Sequence, residues 1–248
     1  MYLSIIIPAY NEQERIGATL QKIREYLSKQ DYSYEVIVVS DGSHDRTSEI
    51  VNSFRGSLPT LKTMDNQKNR GKGFAIRCGL LEATGEFRLI MDADSSTDIS
   101  EVEKLFPYFS QGYEMVIGSR RIEGARVLVD QSRFRVFLGW IFRHLVQFIV
   151  PLGVKDSQNG FKMFTAKVTE MVFPQQTIFR WAFDVEILAL AKLFKFKIKE
   201  VPIVWVDSRL SKVTFGGMVR MLSDILIIRY NLWSNYYQSS FEKPSKKC

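Results

Sequence analysis

Two short apolar runs limit what this chain can fold into. Residues 3–7 (LSIII) and 35–39 (EVIVV) are rich in β-branched side chains and lie about one helical crossover apart. Such runs read as buried strands. Between them, EQERIGATLQKIREYL places Ile16, Leu20, Ile23 and Leu27 at helical spacing, with Asn11 positioned to cap that helix. Another helix, holding Ile50, Val51 and Phe54, is expected after Asp45, which is placed to cap it; a third covers 73–83, and FRLIMD reads as a strand. Strand alternating with helix predicts an α/β fold with a doubly wound, mostly parallel sheet and right-handed crossovers. Ligands of such sheets bind beyond the carboxyl ends of the strands. Asn11, Asp41, Asp92 and Asp94 all fall at such ends.

After one more strand, EMVIGSR at 114–120, the pattern changes. Residues 134–150, FRVFLGWIFRHLVQFIV, are mostly large and apolar, with Arg135, Gly139, Arg143 and Gln147 forming a narrow stripe at a stride of four. A helix of that length reaches roughly 25 Å, short of the ~30 Å bilayer core, and it carries Arg143 and His144 near its middle. It suits a membrane interface better than a span, with burial in the core as the alternative. In 217–233, Met218, Met221, Leu222, Ile225, Ile228 and Leu232 form one apolar face; Trp233, Tyr236 and Tyr237 follow, as aromatics do at an interface. Here too, packing on the domain is the alternative. The expected organisation is an α/β domain over 1–213, an amphipathic C-terminal helix over 214–238 and a basic tail over 239–248.

Composition excludes more than it selects. The 248 residues fit one large domain, and a net charge of +7 suits anionic partners without choosing among them. The two cysteines, Cys78 and Cys248, give neither a disulfide framework nor zinc-ligand spacing. The two histidines, His44 and His144, show no triad or metal spacing.

The carboxylates carry the chemistry. Asp92 and Asp94 flank a small residue at a strand end, and residues i and i+2 of an extended chain point the same way. Two carboxylates on one face suit Mg²⁺ or Mn²⁺, with phosphate oxygens filling other positions. Gly71-Lys72-Gly73 lets backbone amides approach an anion beside a cation, although Walker spacing is absent. Asp41 is placed to accept from a ribose hydroxyl or a base N–H. Arg120, Arg121, Lys162 and Lys212 are cationic candidates for phosphate. No GxGxxG follows the first strand, which argues against a dinucleotide-dependent dehydrogenase. Aromatics are not interleaved with the basic residues as a nucleic-acid platform needs, so no nucleic acid is expected.

In order, PAYNE, DGSHDRT, NRGKG, MDAD, GSR, DSQNGFK, WAFDVEIL and KEVPIVWVDSRLSKV resemble the family-2 glycosyltransferases of GT-A fold, from residue 3 to about 213. Within that family the chain is most similar to the polyprenyl-phosphate sugar synthases, the dolichyl-phosphate glucosyl- and mannosyltransferase type. It lacks the QxxRW motif of processive synthases. The resemblance implies that Pro8, Tyr10 and Glu12 line the base pocket and that Asp41 grips the nucleoside. It places Lys72 near the donor sugar or its phosphates, Asp92 and Asp94 on donor and metal, Arg120 and Lys212 against phosphate charge, and Asp156 as an active-site acid. Mannosyl relatives often carry Gln two residues after the second Asp; here it is Ser96. The shorter Ser96 leaves the metal shell to be finished by water or phosphate, and RWAFDVEIL, with its Asp184, favours UDP-glucose over GDP-mannose. The implied acceptor is a dolichyl or undecaprenyl monophosphate, reached from the cytoplasmic face of a membrane by a monotopic, inverting enzyme. Transfer to a sugar hydroxyl, with Asp156 as base, is a rival. A non-catalytic nucleotide or RNA binding module is a third reading.

Overall fold

The computed structural model describes residues 1–128, 133–206 and 215–239. The first half alternates as expected: β1 (Leu3–Ala9), α1 (Ile16–Leu27), β2 (Tyr34–Asp41), α2 (Thr47–Ser53), β3 (Leu61–Asn66), α3 (Lys72–Glu82) and β4 (Phe87–Ile90). A 3-10 turn at Ile99–Lys104 leads into α4 (Phe106–Ser110), β5 (Met115–Ser119), β6 (Arg126–Val127) and α5 (Arg133–Ile149). β7 (Lys162–Thr165), α6 (Ala166–Val172), α7 (Phe183–Leu193), β8 (Ile198–Pro202), β9 (Val204–Trp205), α8 (Phe215–Trp233) and α9 (Tyr236–Ser239) complete it.

Seven strands form one sheet in the order β3-β2-β1-β4-β7-β5-β8, and β6 pairs with β9 separately. Every pairing in the large sheet is parallel except those of β7, which runs antiparallel to both β4 and β5. The inversion positions the site. The amino end of β7 lies at the carboxyl ends of its neighbours, and Lys162 registers against Ile90 of β4 and Ile117 of β5. The strand order also reverses at β1 and β4, opening the crevice where ligands of such sheets bind.

Alternation along the strands splits the apolar residues between two cores. Ile5 and Ile7 face α1 and α2, whereas Ile6 faces α3, α6 and α7. These isoleucines are fully buried, each contributing about 1.5–3 kcal/mol. Asn11 does not cap α1, whose first residue follows Arg15 with no side-chain cap. Instead Asn11 adopts a positive φ of 51° and its Oδ1 accepts from the His44 amide at 2.9 Å, joining the loops after β1 and β2. Asp45 Oδ1 accepts from the Thr47 amide at the start of α2, a structural role. Cys78 is buried on α3.

α5 and α8 each divide their apolar residues between two faces. Val146 of α5 and Met221, Ile225 and Ile228 of α8 are buried in the core with α7. The α8 face read from its periodicity therefore packs inward. A different set stands outward: Trp140, Ile141, Leu145 and Phe148 on α5, and Leu226, Ile227, Tyr230 and Trp233 on α8. Tyr237, expected at an interface, is wholly buried. One residue of the α5 stripe also turns inward. Gln147 turns in to donate to the Val154 carbonyl at 2.6 Å, and the Arg135 side chain lies outside the described residues. No helix among the described residues is long and apolar enough to cross a membrane.

Candidate active site

Three ion pairs gather at the carboxyl edge of the sheet. Lys72, opening α3, places Nζ 2.6 Å from Asp92 Oδ1 beyond β4. Lys162, at the amino end of β7, places Nζ 2.5 Å from Asp184 Oδ1 in the first turn of α7, with Lys162 fully buried. Arg120, just past β5, grips Asp156 with two guanidinium bonds of 2.8 Å each and adds its own amide at 2.9 Å. Trp205 of β9 lies beneath that guanidinium, 5.0 Å from ring centroid to carbon. The pairs form one electrostatic cluster. Burial opposes the charge of Lys72, but Asp92, Asp184 and Asp94 together raise its pKa. Burial works against an ionised Asp92, and Lys72, Lys162 and Arg120 overcome it to hold that carboxyl below its ordinary range.

Asp156 is likewise held low: burial pushes it up, and Arg120 more than offsets this. A carboxylate so neutralised is a weak proton acceptor, and its geometric effect is to fix the Arg120 fork. Burial drives Asp184 the other way, raising its pKa despite Lys162 and Lys72.

Asp92 and Asp94 do not share one face of an extended strand, because β4 ends at Ile90 and Asp94 sits in the turn that follows, beside Ser95 at φ 52°. Asp94 accepts from the Ser96 amide at 3.0 Å and meets Arg15 at 3.7 Å, a contact Arg15 shares with Glu12 at 2.5 Å. Among the described residues no group of three or more His, Cys, Asp or Glu is arranged to hold a metal. Two hard carboxylates fit Mg²⁺ or Mn²⁺ only with further oxygens brought by a ligand, as a diphosphate would bring.

The other expected residues are placed as follows. Pro8 is the next-to-last residue of β1, and Tyr10 and Glu12 follow in the loop after it, all partly exposed. Asp41 is buried and accepts from the amides of Arg70 and Gly71, the latter at 2.7 Å, so here it organises the NRGKG loop. Gly71 adopts φ +109°, and a Cβ there would lie 2.4 Å from the Phe179 carbonyl. Arg121 is exposed on the turn after β5, and Lys212 lies outside the described residues. Arg15 and Trp205 were not read as site residues from the sequence; neither belongs to a charged motif at a strand end. Lys162 was one cation among several and Asp184 only a mark of similarity. The signal that unites them is the inverted β7, which no periodicity in so short a run reveals.

The family model for Glycosyl transferase family 2 matches residues 4–173. The chain is 36% identical over 249 residues to dolichyl-phosphate beta-glucosyltransferase ALG5C of Trichomonas vaginalis, covering 94% of this chain and 74% of that protein. It is 36% identical over 242 residues to the Homo sapiens dolichyl-phosphate beta-glucosyltransferase, covering 92% and 74%. Among solved structures, glucosyl-3-phosphoglycerate synthase from Mycobacterium tuberculosis, in complex with Mn²⁺, uridine-diphosphate-glucose and glycerol 3-phosphate, superposes with a TM-score of 0.70. It is 18% identical, with coverage of 92% of this chain and 79% of that one. That likeness establishes the shared fold.

Proposed function

The chain belongs to glycosyl transferase family 2, and we propose that it moves glucose from UDP-glucose onto dolichyl monophosphate with inversion at the anomeric carbon. One observation carries this reading: Lys72, Arg120 and Lys162 gather at the sheet edge, and α5, whose Arg143 lies within electrostatic reach of Arg121 next to Arg120, presents an apolar face outward. Phosphate chemistry thus sits beside a lipid-compatible surface. The names of the relatives that match over most of the chain support the same donor and acceptor.

A phosphate acceptor is already ionised near neutral pH, so the barrier is the approach of two anions and not loss of a proton. Lys72, on the donor side, and Arg120 offset that repulsion, and Arg120 holds the acceptor oxygen in line behind the anomeric carbon. The new C–O bond forms as the bond to UDP breaks, giving a β-linked sugar from an α-linked donor. Asp156 holds Arg120 in place. Its engagement argues against the rival in which it deprotonates a sugar hydroxyl. Asp92 and Asp94 are the residues that would hold Mg²⁺ or Mn²⁺, which supplies charge neutralisation for the departing diphosphate.

Labelled UDP-glucose and GDP-mannose, offered separately with detergent-dispersed dolichyl phosphate, test the reading. Organic-soluble label from UDP-glucose is the expected result. Label from GDP-mannose alone would overturn the donor, and none from either would overturn the proposed pair and point to another nucleotide sugar or a non-lipid acceptor. Gly160 provides a finer check. A Cβ there would lie 2.1 Å from Asp92 Oδ2, so Gly160→Ala must push Asp92 away from Lys72. Misplacement of this size is expected to lower turnover about 10²-fold; near-normal transfer by the purified variant would mean that Asp92 is free to move.

We further propose that the outward faces of α5 and α8 rest in the membrane interface, on the cytoplasmic side. Phe148 is 87% exposed and Trp233 76%, far more than isolated surface apolar residues require. Replacing both by glutamate is expected to reduce co-sedimentation with anionic lipid vesicles about tenfold or more, while transfer to a short-chain acceptor in detergent persists. Unchanged sedimentation would reassign this surface to another partner.

A further inference from the structure

We infer that Tyr237 is a positioning residue for the donor site, fastening the C-terminal helices to the loop that carries Lys72. This rests on the reading of Lys72 as a donor-site residue. Asn235, at φ 56°, turns the chain back after α8 and sends Tyr237 of α9 into the core, where it is fully buried. Its hydroxyl donates to Glu186 Oε1 at 2.7 Å. Glu186 stands on α7, two residues beyond Asp184, and is itself fully buried.

Glu186 is the hub of a connection running back to the site. Besides Tyr237, it accepts from the Thr177 amide at 2.9 Å, the Thr177 hydroxyl at 2.5 Å and the Ile178 amide at 2.8 Å. The segment so held is the one against which the Lys72 turn is built. The Phe179 carbonyl accepts from the Phe74 amide at 3.1 Å, and the two rings meet edge to face at 5.4 Å. Gln176 Nε2 donates to both the Gly73 and Ile178 carbonyls, at 3.1 and 2.8 Å. The path from Tyr237 to Lys72 therefore consists of direct contacts: hydroxyl to carboxylate, carboxylate to residues 177–178, and residues 176–179 to residues 73–74. α8, which presents Leu226, Ile227, Tyr230 and Trp233 outward, leads through the Asn235 turn into α9, so the helix with the exposed apolar face is joined to the one that holds the donor loop.

The test compares Tyr237→Phe with Ser4→Ala. Ser4 makes a matched buried bond, hydroxyl to Glu35 Oε1 at 2.7 Å, at the opposite end of the sheet. Two readouts are taken: amide hydrogen exchange across residues 71–75 and 176–179 without ligand, and UDP affinity with Mn²⁺. In Tyr237→Phe, faster exchange in both segments and UDP binding weaker by about fivefold or more are expected. Ser4→Ala should move neither. Exchange in residues 71–75 that matches the wild type, or that quickens equally in both variants, would overturn the inference by showing Tyr237 to be mere core packing. Wild-type protein that binds no UDP would overturn the proposed donor instead, and the exchange result would still judge the Tyr237 connection.

Discussion

Asp94→Asn is expected to reduce glucose transfer by about 10³-fold or more while leaving the fold intact. Asp94 is a cleaner probe than Asp92. Asp92 is the direct partner of Lys72, so neutralising it also strips a partly buried cation of that partner and mixes two effects. Asp94 has weaker ties within the protein: one amide bond from Ser96 and a 3.7 Å contact with an arginine already engaged by Glu12. Asparagine retains an oxygen to accept from Ser96, so the stability change should stay within about 1 kcal/mol. What it removes is the negative charge that a divalent ion needs. Transfer of label into organic solvent measures the first effect and a thermal melt the second. Full transfer by the variant with EDTA present would refute both the assignment of Asp94 and the dependence on metal.

The first half of the fold is legible because its signals are local. β-branched runs, helical spacing and carboxylates at strand ends all lie within windows of a few residues. From them follow β1, β2, α1, α3 and the edge on which Asp92 and Lys72 meet. The rest depends on pairings distant in sequence. Residues 162–165 form a strand of four residues, too short for periodicity to announce. Its antiparallel insertion between β4 and β5 is what brings Lys162 to Asp184 and to the same edge as Asp92. Asn11 reads as a cap because asparagine before a helix commonly is one; the loop after β2 competes for the same side chain and wins. The apolar helices misled in a subtler way. Periodicity locates an apolar face on α8 but does not say that this face is claimed by α7. It passes over Leu226 and Tyr230, which are left in the open. Tyr237 looked interfacial because aromatic residues cluster around it, whereas its hydroxyl has a buried carboxylate to satisfy.

Lys162→Met should produce the largest loss of stability, about 3–5 kcal/mol, because it leaves Asp184 buried without its cation. For a chain of this size that corresponds to a melting point lower by roughly 10 °C or more. The deficit should depend on pH in a defined direction. Burial already raises the Asp184 carboxyl in the folded protein, and losing Lys162 raises it further. A carboxyl whose folded pKa exceeds its unfolded value binds more protons when folded, so stability falls as pH rises from the unfolded value through the folded one. The gap between variant and wild type should therefore narrow towards pH 5 and widen towards pH 8. Adding Asp184→Leu removes the stranded charge and should recover most of the stability, since an apolar pair can replace a buried ion pair at little cost. Transfer should not recover with it, because Lys162 also binds the carbonyl of Asn159, whose neighbour Gly160 abuts Asp92, and lends that carboxylate its charge. If the double variant regains both stability and turnover, the pair is scaffold alone, and charge compensation of the donor diphosphate must then rest on Lys72 and Arg120.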